Sequence, residues 1–266
     1  DFPTISSYEN VENQDLHALK NIDVVILSDK ALVKAAEALG NFHKENDNLN
    51  YKVLTVEPIY NEFSSGTPDV TAYRMLLKML YDKAETPEEK PKFLVILGLS
   101  SYDNRGIKNK KYDILSFQAK ESLNYIYSYI TDDYLGFLDD GEGGYIESAK
   151  LDISIGRIPA STEEEAFGYV NKVIKYVKSK DKGEWSNEIL FVGDDGDASL
   201  HSKQANLLAD NVYKLHPEFA PKKLFLDEAT HLSALEIQIL DAFAESIGAV
   251  NYLAGEAPEK LWESNI

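Results

Sequence analysis

The chain has 266 residues, 44% of them hydrophobic and 11% aromatic, which is enough apolar material for one large core or two packed lobes and excludes a disordered chain. With 45 acidic against 27 basic residues the formal net charge is -18, so phosphate backbones and anionic lipid surfaces are repelled. No cysteine is present, which removes disulfides, thiolate metal sites and a thiol nucleophile, and no apolar run is long enough to span a bilayer. There is no signal-peptide pattern. A first residue of Asp1 and a last of Ile266, close behind Trp262, read as the ends of a piece of a longer protein.

Short apolar runs alternate with amphipathic stretches of helical length, the pattern of βα units around a parallel sheet. Ile22–Leu27 is the first predicted strand, ending at Ser28-Asp29. A helix follows, with Leu32, Ala35, Ala36 and Leu39 on one face and a stop near Gly40. Tyr51–Val56 is the next strand; Thr67-Pro68-Asp69 opens a helix whose face carries Tyr73, Leu76, Leu77 and Leu80. Phe93–Leu97 is the most apolar strand and is expected to be buried on both faces.

The polar section Asn104–Tyr127 is expected to be a long loop or an insertion. Tyr129–Leu138 and Leu151–Gly156 read as strands around the turn Asp139–Gly144. Past Pro159, Ser161–Glu165 opens a helix with acidic residues at its positive end, continuing through Val170, Val173, Ile174 and Val177. Ile189–Val192 is a strand, Gln204–Tyr213 a helix, Lys223–Leu226 a strand, Leu235–Ile247 a helix and Ala249–Leu253 a last strand. We place a leader or linker at 1–20, a first α/β lobe at 21–159 and a second at 160–266, truncated at its C-terminal end. Working residues then belong in the loops beyond the strands' carboxyl ends, which begin at Ser28, Gly98, Asp194 and Ala254.

Two acidic loops could carry chemistry. Asp132, Asp133, Asp139, Asp140 and Glu142 put five carboxylates within eleven positions. Their order lacks the alternation of an EF-hand loop, leaving either an irregular calcium site at Asp139, Asp140 and Glu142 or a solvated acidic turn. Gly193-Asp194-Asp195-Gly196-Asp197 follows a buried strand. Its aspartates either hold a hard cation such as calcium or cap the next helix. His201, four residues past Asp197, reads as a surface histidine of that helix, and His17, His43, His216 and His231 lack ligand spacing. No HExxH, CxxC, GxSxG, P-loop or dinucleotide fingerprint occurs, so the usual metallopeptidase, redox, serine-hydrolase and nucleotide readings lose their support. A receiver-like α/β domain would rest on Asp194-Asp195 alone.

Several stretches, in order, resemble gingipain-like cysteine peptidases, in particular the branch with the sortase-type peptidase of the type IX secretion system. They are Phe93–Gly98 leading into Ser101–Arg105, Tyr129–Gly136, Asp152–Pro159, Glu165-Ala166 with Lys172 and Tyr176, Leu190–Asp195, and Val250–Tyr252. Each is weak alone; the ordered set spans nearly everything from Ile22 onward. The resemblance implies a caspase-like α/β fold of two side-by-side lobes, mostly parallel sheets flanked by helices. It also implies a peptide or protein substrate, no required cofactor, and an extracellular or outer-membrane-associated bacterial location.

In that family a histidine in a Gly-His-Gly turn follows the Val-Asn-Tyr strand and a cysteine follows the next strand. Here the ungapped match puts Gly255 at the histidine position, and the chain stops before the cysteine strand. Gly98-Leu99-Ser100 likewise replaces the usual Gly-Asp-Gly. Either the chain is a non-catalytic relative, or it ends one βα unit short of the nucleophile, or residues of the parent around 253–257 are missing from it. By position Asp132 matches the carboxylate near the primary specificity pocket of arginine-cleaving gingipains, with Asp133 beside it as an equal candidate for a cationic side chain.

Overall fold

The computed structural model describes residue 11 and residues 13–108, 114–118, 128–143, 149–180, 183–193, 196–225 and 250–252. The chain divides into two compact units, Asp1–Lys178 and Ser179–Ile266. The sequence reading puts the division near Pro159. It falls later because the helix after Pro159 packs on a helix of the first unit.

In the first unit, β1 (Val24–Ser28) lies between β2 (Tyr51–Leu54) and β3 (Phe93–Leu97), and β3 pairs outward with β6 (Ser154–Ile158). All pairs are parallel and the order is β2-β1-β3-β6. Alternation along β1 feeds two cores. Val25 and Leu27 face α2 (Val56–Phe63) and α3 (Val70–Lys83), while Val24 and Ile26 face α1 (Val33–Asp47) and α4 (Glu163–Lys178). With a helix layer on each face, β1 is buried at every position.

Local chemistry explains each helix. In α3 the stripe Ala72, Tyr73, Leu76, Leu77 and Leu80 is buried, and the Asp69 carboxylate caps the first turn by accepting from Thr71 N at 2.8 Å. In α1, Ala35, Ala36, Leu39 and Phe42 pack inward; the helix does not stop near Gly40, which is buried against the Tyr51 ring, and Asn48 ends it in the left-handed conformation at φ 56°. Burying each Leu-sized side chain of these stripes contributes about 1.5–3 kcal/mol.

Three expectations need correction here. Val56 does not end a strand: β2 stops at Leu54, and Val56 opens α2, whose Val56, Ile59, Tyr60 and Phe63 recur at helical spacing with Pro58 tolerated in the first turn. Tyr129–Leu138 is not one strand. Only Ile130–Thr131 (β5) is extended, pairing antiparallel with β4 (Phe117–Gln118), and a 3-10 turn spans Asp133–Gly136. Tyr134 to Leu138 are buried in succession, which a two-faced strand on a sheet surface could not arrange, and Leu135 N closes the turn on Asp132 O at 3.0 Å. Leu151 and Asp152 do not join β6, because Asp152 bonds back to the 136–139 turn.

In the second unit β7 (Glu188–Gly193) lies between β8 (Ala220–Phe225) and β9 (Val250–Tyr252), all parallel. Phe191 and Phe225 pack with Ala205 and Ala209 of α5 (Gly196–Leu215). A Cβ on Gly193 would stand 2.9 Å from Ser202 Cα, so glycine permits strand and helix to meet backbone to backbone. The helix expected over Leu235–Ile247 lies outside the described residues.

Candidate functional site

In the first sheet the connections leave in opposite directions from β1 and β3, and the carboxyl ends of these two strands flank the topological switch point. Asp29 N donates to Leu97 O at 2.9 Å there, and Gly98 follows β3 with φ +145°. A Cβ on Gly98 would be 3.0 Å from Ile114 Cδ1 and 3.4 Å from Asp29 Cβ, so a side chain there is strained by the backbone and crowded by its neighbours.

Arg157, in register with Ile96 on the neighbouring β6, organises this edge. Its Nε and Nη2 donate to Asp132 Oδ2 and Oδ1 at 2.8 and 2.7 Å, a bidentate pair. Nη1 donates to Gly98 O at 3.0 Å and Nη2 to Ser116 Oγ at 3.3 Å. Extending the β4–β5 register by one pair sets Ser116 opposite Asp132, so one short ladder delivers both partners to the guanidinium. The side chains of Arg157 and Asp132 are 14% and 19% exposed, and Ser116 is buried.

Behind Ser116 the wall is fastened to the helices. Leu115 N donates to the Tyr73 hydroxyl at 3.3 Å, and Tyr73 bonds the Tyr60 hydroxyl of α2. Burial, with Tyr60 beside it, pushes the Tyr73 phenol far above its ordinary value, so it stays protonated. Asp133, by contrast, is exposed at the start of the 3-10 turn, its N–H held by Thr131 Oγ1 at 3.1 Å. The structure therefore separates the two carboxylates that the sequence presents side by side. Asp132 has an internal cation and Asp133 faces solvent.

The acidic turn is a second cluster. Carboxylate oxygens of Asp139, Glu142 and Asp152 lie within 4.8 Å of one another. Asp140 is not among them; it points to Lys78 at 2.9 Å, which holds its carboxyl below the usual range. Asp152 Oδ2 accepts from Leu138 N and Asp139 N at 2.6 and 3.1 Å, and Glu142 Oε2 and Oε1 accept from Asp139 N and Lys150 N, each at 3.3 Å. The donor set is the hard-oxygen kind calcium takes, and these oxygens already serve to fold the turn. Of the second acidic loop, Asp194 and Asp195 lie outside the described residues, and Asp197 is described only as part of α5.

The model of peptidase family C25 matches residues 17–266. The chain belongs to peptidase family C25. The crystal structure of dimeric latent PorU from Porphyromonas gingivalis is similar at TM-score 0.57 and 34% identity, over 66% of this chain and 17% of that one. A second solved structure, described as a protease, gives TM-score 0.56 at 16% identity over 91% of this chain and 46% of its own, a likeness of fold. This C25 chain thus spans a minor part of both. No curated protein matches it. The caspase-like α/β class expected from the motifs is the class found, with a parallel central sheet flanked by helices. None of the helices among the described residues is long and apolar enough to cross a membrane.

Three residues of these two clusters have no role in the sequence reading. Arg157 stands inside a quoted motif without a role, although an arginine in a strand flanked by apolar residues demands a partner. Ser116 sits in the polar section read as a loop, and its burial follows from a two-residue ladder too short to leave a periodic signal. Asp152 reads as a strand residue, and only the reversal at Asp139–Gly141 brings it to Glu142.

Proposed function

We propose that this chain is part of a gingipain-like cysteine endopeptidase domain of an exported, cell-surface protein, with the His/Cys pair not supplied by these 266 residues. One observation carries the reading: a family match over residues 17–266 in a chain with no cysteine. Peptidase chemistry by a thiolate needs both a nucleophile and a base to form and orient it. What the described residues contribute is the carboxyl edge at Gly98, Asp132 and Arg157, against which an extended peptide would lie. A structural calcium ion on Asp139, Glu142 and Asp152 belongs to the same proposal; thiol chemistry itself requires no cofactor.

Gly255 favours a second reading, a non-catalytic peptidase-like domain that kept the fold as a binding or scaffold module. Both readings expect the chain alone to bind peptides and to hydrolyse none, in assays of fluorogenic peptides with and without reductant. Hydrolysis by the 266-residue chain would sink both. The two separate on the full-length polypeptide. A peptidyl thiol-directed inhibitor labels it on a cysteine one strand after Val250–Tyr252 in the first reading, and leaves it unlabelled in the second.

A further inference from the structure

We propose that the groove at the amino ends of β3 and β6 is a docking site for a polypeptide segment carrying a large apolar side chain beside an acidic one. The groove begins at Phe93 and Ser154, the first residues of the two strands, and so lies at the opposite end of β3 from Gly98. A segment docked there is held and not cleaved, which makes the site independent of the peptidase reading.

Tyr81, Lys90, Phe93, Leu151, Ile153 and Ser154 are among the residues that line this open groove of about 500 Å³. Two of them are large apolar side chains left in water. Phe93 is 40% and Leu151 50% exposed, although the run Phe93–Leu97 reads in sequence as buried on both faces. Leu94, Ile96 and Leu97 of the same strand are buried, so Phe93 carries the strand's largest bare area, and it does so inside the groove.

Lys90 supplies the attraction for an acid. Its ammonium stands 3.6 Å from the centre of the Tyr81 ring and pairs with no carboxylate among the described residues, in a chain of net charge -18. The acids around it are engaged elsewhere. Glu89 Oε2 accepts from Glu85 N at 3.0 Å, and Glu88 is held below the ordinary carboxylate range by its own backbone N–H and by Thr86. Asp152, on the groove wall, accepts from the Tyr81 hydroxyl at Oδ1 and from Leu138 N and Asp139 N at Oδ2. Lys92, the other lysine of the groove, is paired with Asp23.

The carboxylate comes from a side chain and not from a chain end. Capture of a terminal carboxylate uses a nest of free backbone N–H groups. Here Lys92 N and Phe93 N donate to Asp23 O, Ser154 N to Lys92 O and Asp152 N to Gly136 O, at 2.9 to 3.0 Å. The groove therefore offers a ligand the Lys90 ammonium and the exposed Ser154 hydroxyl in place of a nest. An acidic and apolar segment meets both features together, its apolar side chain covering Phe93 and Leu151 and its carboxylate reaching Lys90.

Fluorescence anisotropy with labelled, amidated Gly-Ser-Leu-Glu-Gly-Ser tests the site, beside versions with glutamine or lysine for glutamate and alanine for leucine. A free-acid Gly-Ser-Gly-Ser-Gly-Leu represents the chain end. The glutamate peptide is expected to bind wild type saturably below about 1 mM, about three-fold tighter than the glutamine and about ten-fold tighter than the alanine version. K90Q should erase the preference for glutamate, and F93S should weaken every leucine peptide about five-fold, both variants melting as wild type does. Equal binding of the glutamate and glutamine peptides, a preference for lysine, or tighter binding of the free acid overturns the proposal. So does the absence of saturation, and so do affinities that K90Q and F93S leave unchanged, since binding elsewhere on the chain would survive both. Should F93S not fold, L151S tests the same apolar face.

Discussion

Breaking the Asp132–Arg157 pair from either side should unfold the first unit more easily, and the two losses should not add. R157M leaves the Asp132 carboxylate, 19% exposed, without its cation and removes donors from Gly98 O and Ser116 Oγ. Removing one partner of a fully buried pair costs about 3–5 kcal/mol; with both side chains partly open to water, about 2–4 is expected here. D132N keeps one acceptor oxygen for the guanidinium and should cost somewhat less. The double variant then recovers a coupling of about 2 kcal/mol.

Urea unfolding suits the measurement, since a slope of about 3 kcal/mol/M turns a loss of 3 kcal/mol into a midpoint shift of about 1 M. The two units must be followed separately, because a chain of two units need not unfold in one step. Both tryptophans, Trp185 and Trp262, follow Lys178, so tryptophan emission reports the second unit and far-UV circular dichroism the sum. R157M should shift the dichroism transition and leave the emission transition in place. A coupling below about 0.5 kcal/mol would refute the view that this pair holds the edge together.

Gly193→Ala should do the reverse, lowering the stability read from the emission transition by about 1–3 kcal/mol as α5 is pushed from β7, while Gly156→Ala, with open space around its Cβ, should have a far smaller effect. At Glu62, burial pushes the carboxyl up, but hydrogen bonds from Leu16 N, Gln14 Nε2 and His17 outweigh it and hold it at about 2, below its ordinary 4.5. A depressed folded value means this stabilisation is present above pH 4.5 and is lost as pH falls toward about 2. Amide-exchange protection at Leu16 and His17 should fade over that window in wild type and be weak at neutral pH in E62Q; protection indifferent to both changes would refute the anchor. Millimolar calcium should raise the melting temperature over a chelator control, and D152N should abolish the gain. No response in wild type removes calcium from the proposal.

The strands β1 and β3 are legible because each is a run of apolar residues with no helical period, and the α3 stripe because Tyr73, Leu76, Leu77 and Leu80 recur at helical spacing. α2 carries the same signal at Val56, Ile59, Tyr60 and Phe63, but Pro58 and the preceding strand-like run obscure it. The 129–138 stretch misleads because aromatic and aliphatic residues favour strands until packing overrides them. Gly136 shows the reason: a Cβ there would lie 2.8 Å from Leu151 Cδ2 and 2.9 Å from Ile155 Cδ1, so the segment is pressed into the core as a turn.

By itself the sequence determined the α/β class, the family, the absence of a thiol and the strand ends at which a site should lie, since these follow from composition, periodicity and ordered motifs. It also singled out Asp132. Only the tertiary structure decided what Asp132 does, because its partner Arg157 is 25 residues away and reaches it from another strand. A carboxylate that reads as a receptor for a cation is, once folded, already holding one: charge pairing depends on proximity in space, and neither side chain signals the other along the chain.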